Sequence, residues 1–201
     1  KIAILTSLAA GKQVDFEDIY TEGITRITAT DIKYAKALGR RIKLLGCSYR
    51  TGDSYCAMVA PYMLEDSHPL YNVNGVFNAI FVKGNMLGDS MFYGSGAGKL
   101  PTASAVVADV VDIVRHKDKH ITVQWDQEKL ELADHKKLVN RYFVRTAAGQ
   151  AAVEAAFGAV EYVTAEGVTG ETAFVTGEMD EYAYDAVAEK LGSVLQRIRV
   201  K

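Results

Sequence analysis

Apolar residues fall in two alternating rhythms along this chain, and the switches between them predict its elements. Ala103, Val106, Val107, Val110 and Val114 recur at helical spacing, with Asp109, Asp112 and Arg115 mostly on the other side, so an amphipathic helix is predicted from Pro101 onward. Alternating or apolar segments at Arg41–Arg50 and Ser54–Leu64 flank Thr51-Gly52 and predict a hairpin turning there. Before it, Lys1–Ala10 reads as the tail of a helix closed near Gly11, and Ile19–Ile24 as a short strand. Thr30 is the expected cap of a helix that runs to about Leu38 and ends at Gly39. Val76–Lys83 and Asp89–Tyr93 are two further strands, and the short connections favour antiparallel neighbours.

The character changes at Lys117–Asn140, which is charged and lacks periodicity apart from Ile121-Thr122-Val123. It is expected to be a linker with one short strand, its Trp125 packing locally. Beyond it, strands at Arg141–Thr146, Val160–Glu166, Thr172–Thr176 and Val194–Val200 interleave with helices at Gly149–Phe157 and Glu178–Leu191. That order, βαββαβ, is the ferredoxin-like arrangement. The expected class is α+β. A mixed sheet with helices on one face spans residues 1–116, 117–140 is the linker, and a small ferredoxin-like domain spans 141–201.

Composition narrows the function classes. With 201 residues and 49% hydrophobic content, the chain can bury one good core or two small ones. A net charge of −2 gives no reason to expect nucleic acid or an anionic membrane surface. No apolar run approaches the roughly 20 residues needed to span a bilayer, and no signal peptide is visible. Four scattered histidines (His68, His116, His120, His135) and two cysteines offer no metal-ligand spacing. With a two-residue turn at Thr51-Gly52, residues whose numbers sum to 103 face each other, which puts Cys47 opposite Cys56 and makes a disulfide geometrically conceivable.

The most informative stretch is Tyr93–Asp109, YGSGAGKLPTASAVVAD. Gly94, Gly96 and Gly98 alternate and run into Pro101-Thr102 and the amphipathic helix, so a flexible loop delivers free backbone N–H groups at a helix start. Neither familiar nucleotide motif fits. The phosphate loop G-x-x-x-x-G-K-[ST] fails because Tyr93 stands where its first Gly belongs and Leu100 follows Lys99. The dinucleotide fingerprint G-x-G-x-x-G fails because Lys99 stands at its third Gly. On the residues alone, a close-packing turn and a ligand-facing loop are balanced.

The stretch resembles homoserine dehydrogenase, and the resemblance spans nearly the first 115 residues. It includes Lys1-Ile2-Ala3-Ile4-Leu5 with Ser7-Leu8-Ala9, Glu22-Gly23-Ile24, Asp31-Ile32, and Gly39 with Ile42-Lys43-Leu44-Leu45-Gly46. It continues through His68-Pro69-Leu70, Asn78-Ala79, the loop GSGAG with Pro101-Thr102-Ala103, and Asp109. The resemblance implies an NAD(P)-dependent oxidoreductase interconverting L-homoserine and L-aspartate 4-semialdehyde, in threonine, methionine and isoleucine biosynthesis. It implies that this region binds substrate and forms the dimer, with Gly94, Gly96, Ala97, Gly98 and Thr102 on the nicotinamide end of NADP or NAD. Lys1 aligns with the family's catalytic lysine, which follows a substrate-holding Asp by four positions. A lysine can move the hydroxyl proton when burial or a neighbouring cation depresses its pKa from roughly 10.4 towards neutrality. In the family an entire dinucleotide-binding domain comes first, so this chain is expected to be a piece of a longer gene product and inactive alone. Glu22, Asp31 and Lys43 also match family positions, with capping and surface pairing as their expected roles. The family is cytosolic, so reduced core cysteines at 47 and 56 are favoured over a disulfide.

In homoserine dehydrogenases the C-terminal position often holds an ACT domain, a small regulatory module that binds amino acids. The closing half here is similar to one, with Ala173-Phe174-Val175-Thr176-Gly177-Glu178, a helix, and Gln196-Arg197-Ile198-Arg199-Val200. The opening half departs, since Arg145-Thr146-Ala147-Ala148-Gly149 stands where an Asp-x-Pro-Gly turn is usual. Threonine as effector and a structural or dimer-forming role both stay open. The expected partners are homoserine or aspartate semialdehyde and a second copy of the chain. The alternative from another class is a non-catalytic amino-acid-binding or dimerisation module that kept the fold without the chemistry.

Overall fold

The computed structural model describes residues 1–119 and 125–201. The short strand expected at Ile121-Thr122-Val123, and His120, lie outside the described residues. The elements in chain order are α1 (Ile2–Ala10), β1 (Lys12–Gln13), β2 (Tyr20–Thr21), α2 (Ala29–Ala37), β3 (Arg41–Thr51), β4 (Ser54–Leu64), β5 (Phe77–Gly84), β6 (Gly88–Ser95) and α3 (Lys99–Arg115). Then follow β7 (Asp126–Lys129), β8 (Arg141–Thr146), α4 (Gln150–Phe157), β9 (Glu161–Val163), β10 (Thr172–Val175), α5 (Glu181–Leu191) and β11 (Val194–Val200). The class is α+β with a mixed sheet, as the pattern predicts.

Two compact units divide the chain, and they do not follow the segments drawn from the sequence at 116 and 141. Lys1–Asp66 with Gln124–Lys201 forms one, and Ser67–Val123 forms the other. The physical reason is a parallel pairing between β11 and β4, Arg199 opposite Tyr62 and Val200 opposite Met63, which merges the βαββαβ segment with the N-terminal hairpin. Within that segment the order β11-β8-β10-β9 is wholly antiparallel, as a ferredoxin-like arrangement requires. One edge of β4 runs along β3; the other is shared by β2 at Met58–Val59 and β11 at Tyr62–Met63.

Alternation along the strands sends two sets of side chains to opposite faces. Phe143, Ile198, Val200 and Met63 pack under Tyr34 and Ala35 of α2. Tyr142, Val144 and Phe174 pack against Val153 of α4 and Tyr184 of α5. A third cluster, Val14, Ile19, Ala57 and Leu130, is covered by Ile2, Ala3 and Ala10 of α1.

Three local expectations are corrected. The cap of α2 is Thr28, not Thr30: Thr28 Oγ1 accepts from the Asp31 N–H while the Asp31 carboxylate accepts from the Thr28 N–H at 2.7 Å. Position 30 has Lys33, not a carboxylate, three residues on and cannot close such a box. The β3–β4 hairpin turns at Gly52-Asp53, with Thr51 opposite Ser54, because Gly52 (φ 61°) occupies the first loop position, where a II′ turn calls for glycine. Cys47 therefore faces Met58, Cys56 faces Tyr49, and both thiols are free. The Trp125 region is not a separate linker: β7 pairs in parallel with β1, and the Trp125 indole donates to Gln13 Oε1 at 2.8 Å.

Candidate functional site

In the Ser67–Val123 unit, β5 and β6 form a hairpin with Phe77 opposite Ser95 and Asn78 opposite Gly94. The Gly96 N–H donates to the Val76 carbonyl at 2.9 Å and extends the ladder one residue past β6. Gly94 and Gly96 thus share the face that carries Asn78. A Cβ at position 96 would stand inside the Asn78 carboxamide, 2.5 Å from its Cγ and 3.1 Å from its Cβ. A side chain there requires the Asn78 carboxamide to swing aside. A Cβ at Gly94 would meet nothing within 4 Å, so the strip ahead of it is open.

Gly98 (φ 119°, ψ 151°) turns the chain into α3, and its carbonyl accepts from the Thr102 N–H at 3.1 Å. The N–H groups of Lys99 and Leu100, in the first turn of α3, have no intrahelical acceptor and form the positive end of the helix dipole. Gly94, Gly96, Ala97, Gly98 and Thr102 are all solvent-exposed, as is the apolar stripe of α3 at Val106, Val107, Val110 and Val114. The structure therefore brings the five predicted loop residues together on one accessible rim. Asn78 stands in the sequence only as part of the Asn78-Ala79 block of the resemblance, with no role, because its contact with Gly96 follows from the hairpin register.

In the other unit, Lys1 is exposed and stands at the N-cap of α1, where its carbonyl accepts from the Leu5 N–H at 3.1 Å. The helix that carries it is fixed at several points. Ile2 Cβ lies 3.2 Å from where a Gly46 side chain would begin. The Ser7 hydroxyl accepts from the Val14 N–H at 3.0 Å, and the Tyr55 hydroxyl donates to the Ala9 carbonyl at 3.1 Å.

Two buried ion clusters flank the large sheet. On the α2 side, Arg145 donates to Asp31 at 2.6 Å and to both oxygens of Glu171 at 2.8 and 2.7 Å. Burial works to raise the Asp31 pKa, but hydrogen bonds from Arg145, Thr28 and Gln196 outweigh it and hold the carboxyl below its usual range. On the α5 side, Arg199 bridges Glu22 at 2.8 Å and Glu181 at 2.6 Å, while Arg197 reaches Glu181 at 2.9 Å. Glu22 is thus a buried partner of an arginine, not a surface pair, and Asp31 is both cap and ion partner. Lys43 has its pKa lowered by burial and by the nearby Arg41. At the turn before α4, the Ala147 and Ala148 N–H groups are taken by the Ser193 carbonyl (3.2 Å) and Thr146 Oγ1 (3.1 Å). Among the described residues, no three His, Cys, Asp or Glu side chains group as a metal site would need. No helix among them is long and apolar enough to cross a membrane.

The stretch from Lys1 to the middle of α3 coincides with a family model: that of homoserine dehydrogenase matches residues 1–111. The chain belongs to the homoserine dehydrogenase family. It is 41% identical over 156 residues to a homoserine dehydrogenase of Neisseria gonorrhoeae, covering 74% of this chain and 36% of the relative. Against the homoserine dehydrogenase of Pseudomonas aeruginosa it is 48% identical over 115 residues, covering 57% and 26%. A solved homoserine dehydrogenase from Thiobacillus denitrificans superposes over 100% of this chain and 52% of its own, with a TM-score of 0.83 and 30% identity. The S. aureus homoserine dehydrogenase at pH 6.0 gives a TM-score of 0.74 at 27% identity, again covering 52% of that chain. The chain therefore spans about a third of the length of the first of these curated relatives and about half of the solved ones. Both Lys1 and the glycine rim fall inside the matched region.

Proposed function

We propose that this chain is the substrate-binding, dimer-forming and C-terminal portion of an enzyme that interconverts L-homoserine and L-aspartate 4-semialdehyde with NAD(P)(H), in the cytoplasmic synthesis of threonine, methionine and isoleucine. The observation that carries the proposal is the exposed rim Gly94–Thr102. Its residues suit a flat, partly anionic ligand: an open strip without side chains ends at a helix N-terminus with unpaired donors. The bound nicotinamide supplies the hydride acceptor for alcohol oxidation. Gly94, Gly96, Ala97, Gly98 and Thr102 are the residues that would hold it. Lys1 Nζ takes the hydroxyl proton of homoserine on oxidation and returns it on reduction. The anchoring of α1 through Ser7 and Tyr55 holds the Lys1 backbone in place for that transfer. The dimer forms through the exposed apolar surface of the Ser67–Val123 unit.

The βαββαβ segment serves structure. Its opening turn has its Ala147 and Ala148 N–H groups internally satisfied, which argues against threonine meeting the backbone there. The test is homoserine-dependent NAD(P)H formation by the full-length protein, its Lys1→Met variant, and this chain alone, with and without threonine. Turnover only in the full-length protein, lost on Lys1→Met and insensitive to threonine, is the expected result. Turnover retained by Lys1→Met removes the proton-transfer role.

A further inference from the structure

The Gly94–Gly98 rim does not hold its shape by itself. Its ladder bond to Val76 fixes the backbone of Gly96, and the carboxamide of Asn78 fills the volume a side chain at position 96 would occupy. Asn78 Nδ2 also lies 3.4 Å from the Val76 carbonyl, the oxygen that accepts from Gly96 N–H. The same Val76 carbonyl therefore accepts from the Gly96 backbone and from the Asn78 side chain, which ties the wedge to the rim. A β-strand end with glycines at alternating positions is otherwise free to sample many conformations, and freezing it costs conformational entropy. A wedge that confines Gly96 beforehand removes part of that cost from ligand binding.

We propose that Asn78 is a positioning residue for the cofactor: its carboxamide packs on Gly96 and presets the rim in the shape that receives the nicotinamide end. This rests on the reading of Gly94–Thr102 as the cofactor bed. Asn78 is itself exposed, on β5, and so can be changed with little effect on the folded state.

The test is a double-mutant cycle in the full-length protein, using Asn78→Ala, Gly96→Ala and both together, with Asn78→Ser as a second truncation. Four quantities are measured: the Kd for NADPH by fluorescence, the KM and the kcat for homoserine oxidation, and backbone hydrogen exchange over residues 94–98 without cofactor. Asn78→Ala and Asn78→Ser are expected to speed exchange at the rim and weaken NADPH binding about five- to tenfold, with kcat within twofold and Tm nearly unchanged. Gly96→Ala alone is expected to weaken binding more. Adding Asn78→Ala to it should recover part of that loss, but only part, because the Asn78 Cβ also stands within 3.1 Å. Unchanged exchange and Kd in both truncations, or strictly additive effects with Gly96→Ala, overturn the proposal. If exchange and coupling respond as expected but no variant alters the NADPH Kd, the wedge is real and the cofactor-bed reading is what fails.

Discussion

Replacing Glu181 by alanine should destabilise the large unit far more than the loss of any surface ion pair. Glu181 lies at the first turn of α5 with its side chain 6% exposed, and its carboxylate accepts from Arg199 at 2.6 Å and Arg197 at 2.9 Å. Those guanidiniums are 1% and 16% exposed, and among the described residues the only other carboxylate paired with both, Glu22, sits 2.8 Å from Arg199 and 3.5 Å from Arg197. Two positive charges would then share one negative charge under the sheet. Removing one partner of a buried pair typically costs about 3–5 kcal/mol. For a protein of this size each kcal/mol lowers Tm by roughly 2–4 °C, so a fall of about 6–20 °C is expected. The assay is calorimetric or circular-dichroism melting at pH 7, with urea unfolding for the free energy. The control is Glu161→Ala, which breaks the exposed pair with Arg141 at 2.9 Å and should cost at most about 1 kcal/mol. A Glu181→Ala variant no less stable than the Glu161→Ala control would refute the view that the quartet clamps β11 and α5 to residue 22.

The remaining predictions concern pH and capping. Burial lowers the pKa of His135, the charges of Glu181 and Asp134 offset this only in part, and the ring stacks on Tyr20 at 4.0 Å. The unfolded chain therefore binds its proton first, and stability should decline as pH falls below about 6.5; His135→Phe should flatten the Tm profile between pH 6.5 and 5, and an unchanged slope would count against it. Asp31 and Glu181 are both held below the ordinary carboxylate range, despite burial that acts to raise them, by their arginine partners and, at Asp31, by Thr28 and Gln196. Their contribution is complete above about pH 4.3 and is lost as pH falls further, so acid unfolding should steepen there and less so in Glu181→Gln. Thr28→Ala removes a hydroxyl that donates to Asp31 at 2.8 Å and accepts from Arg145 at 3.3 Å; a loss of about 1–2 kcal/mol in urea unfolding is expected, and none would reassign the cap.

What could be read from the sequence was local. The β3–β4 hairpin, the glycine rim, α3 and the βαββαβ order all carry their signal within a dozen or two residues. The hairpin register slipped by one residue pair, since Thr51-Gly52 and Gly52-Asp53 are both plausible two-residue turns and only the positive φ of Gly52 at the first loop position decides. Glu22 looked like a surface residue because its partners Arg197 and Arg199 lie more than 170 positions away. The spacing of those two arginines, two apart on one strand, was the available hint that both face one side. The merger of the two sheet halves had no local signal at all, because parallel pairing between β4 and β11 depends on contacts that periodicity does not report. Of the rim, the glycines were legible by type, whereas Asn78 became visible through the register that sets it opposite Gly94.

The seat of β11 between β4 and β8 also bears on how the protein is made. During synthesis the Tyr62–Met63 end of β4, beyond the part that β2 covers, and one edge of β8 emerge with hydrogen-bonding groups that have no partner until Val194–Val200 leaves the ribosome. A nascent chain stalled before that point exposes two open templates for strand addition, one from each half of the sheet. One strand, made after both, closes both.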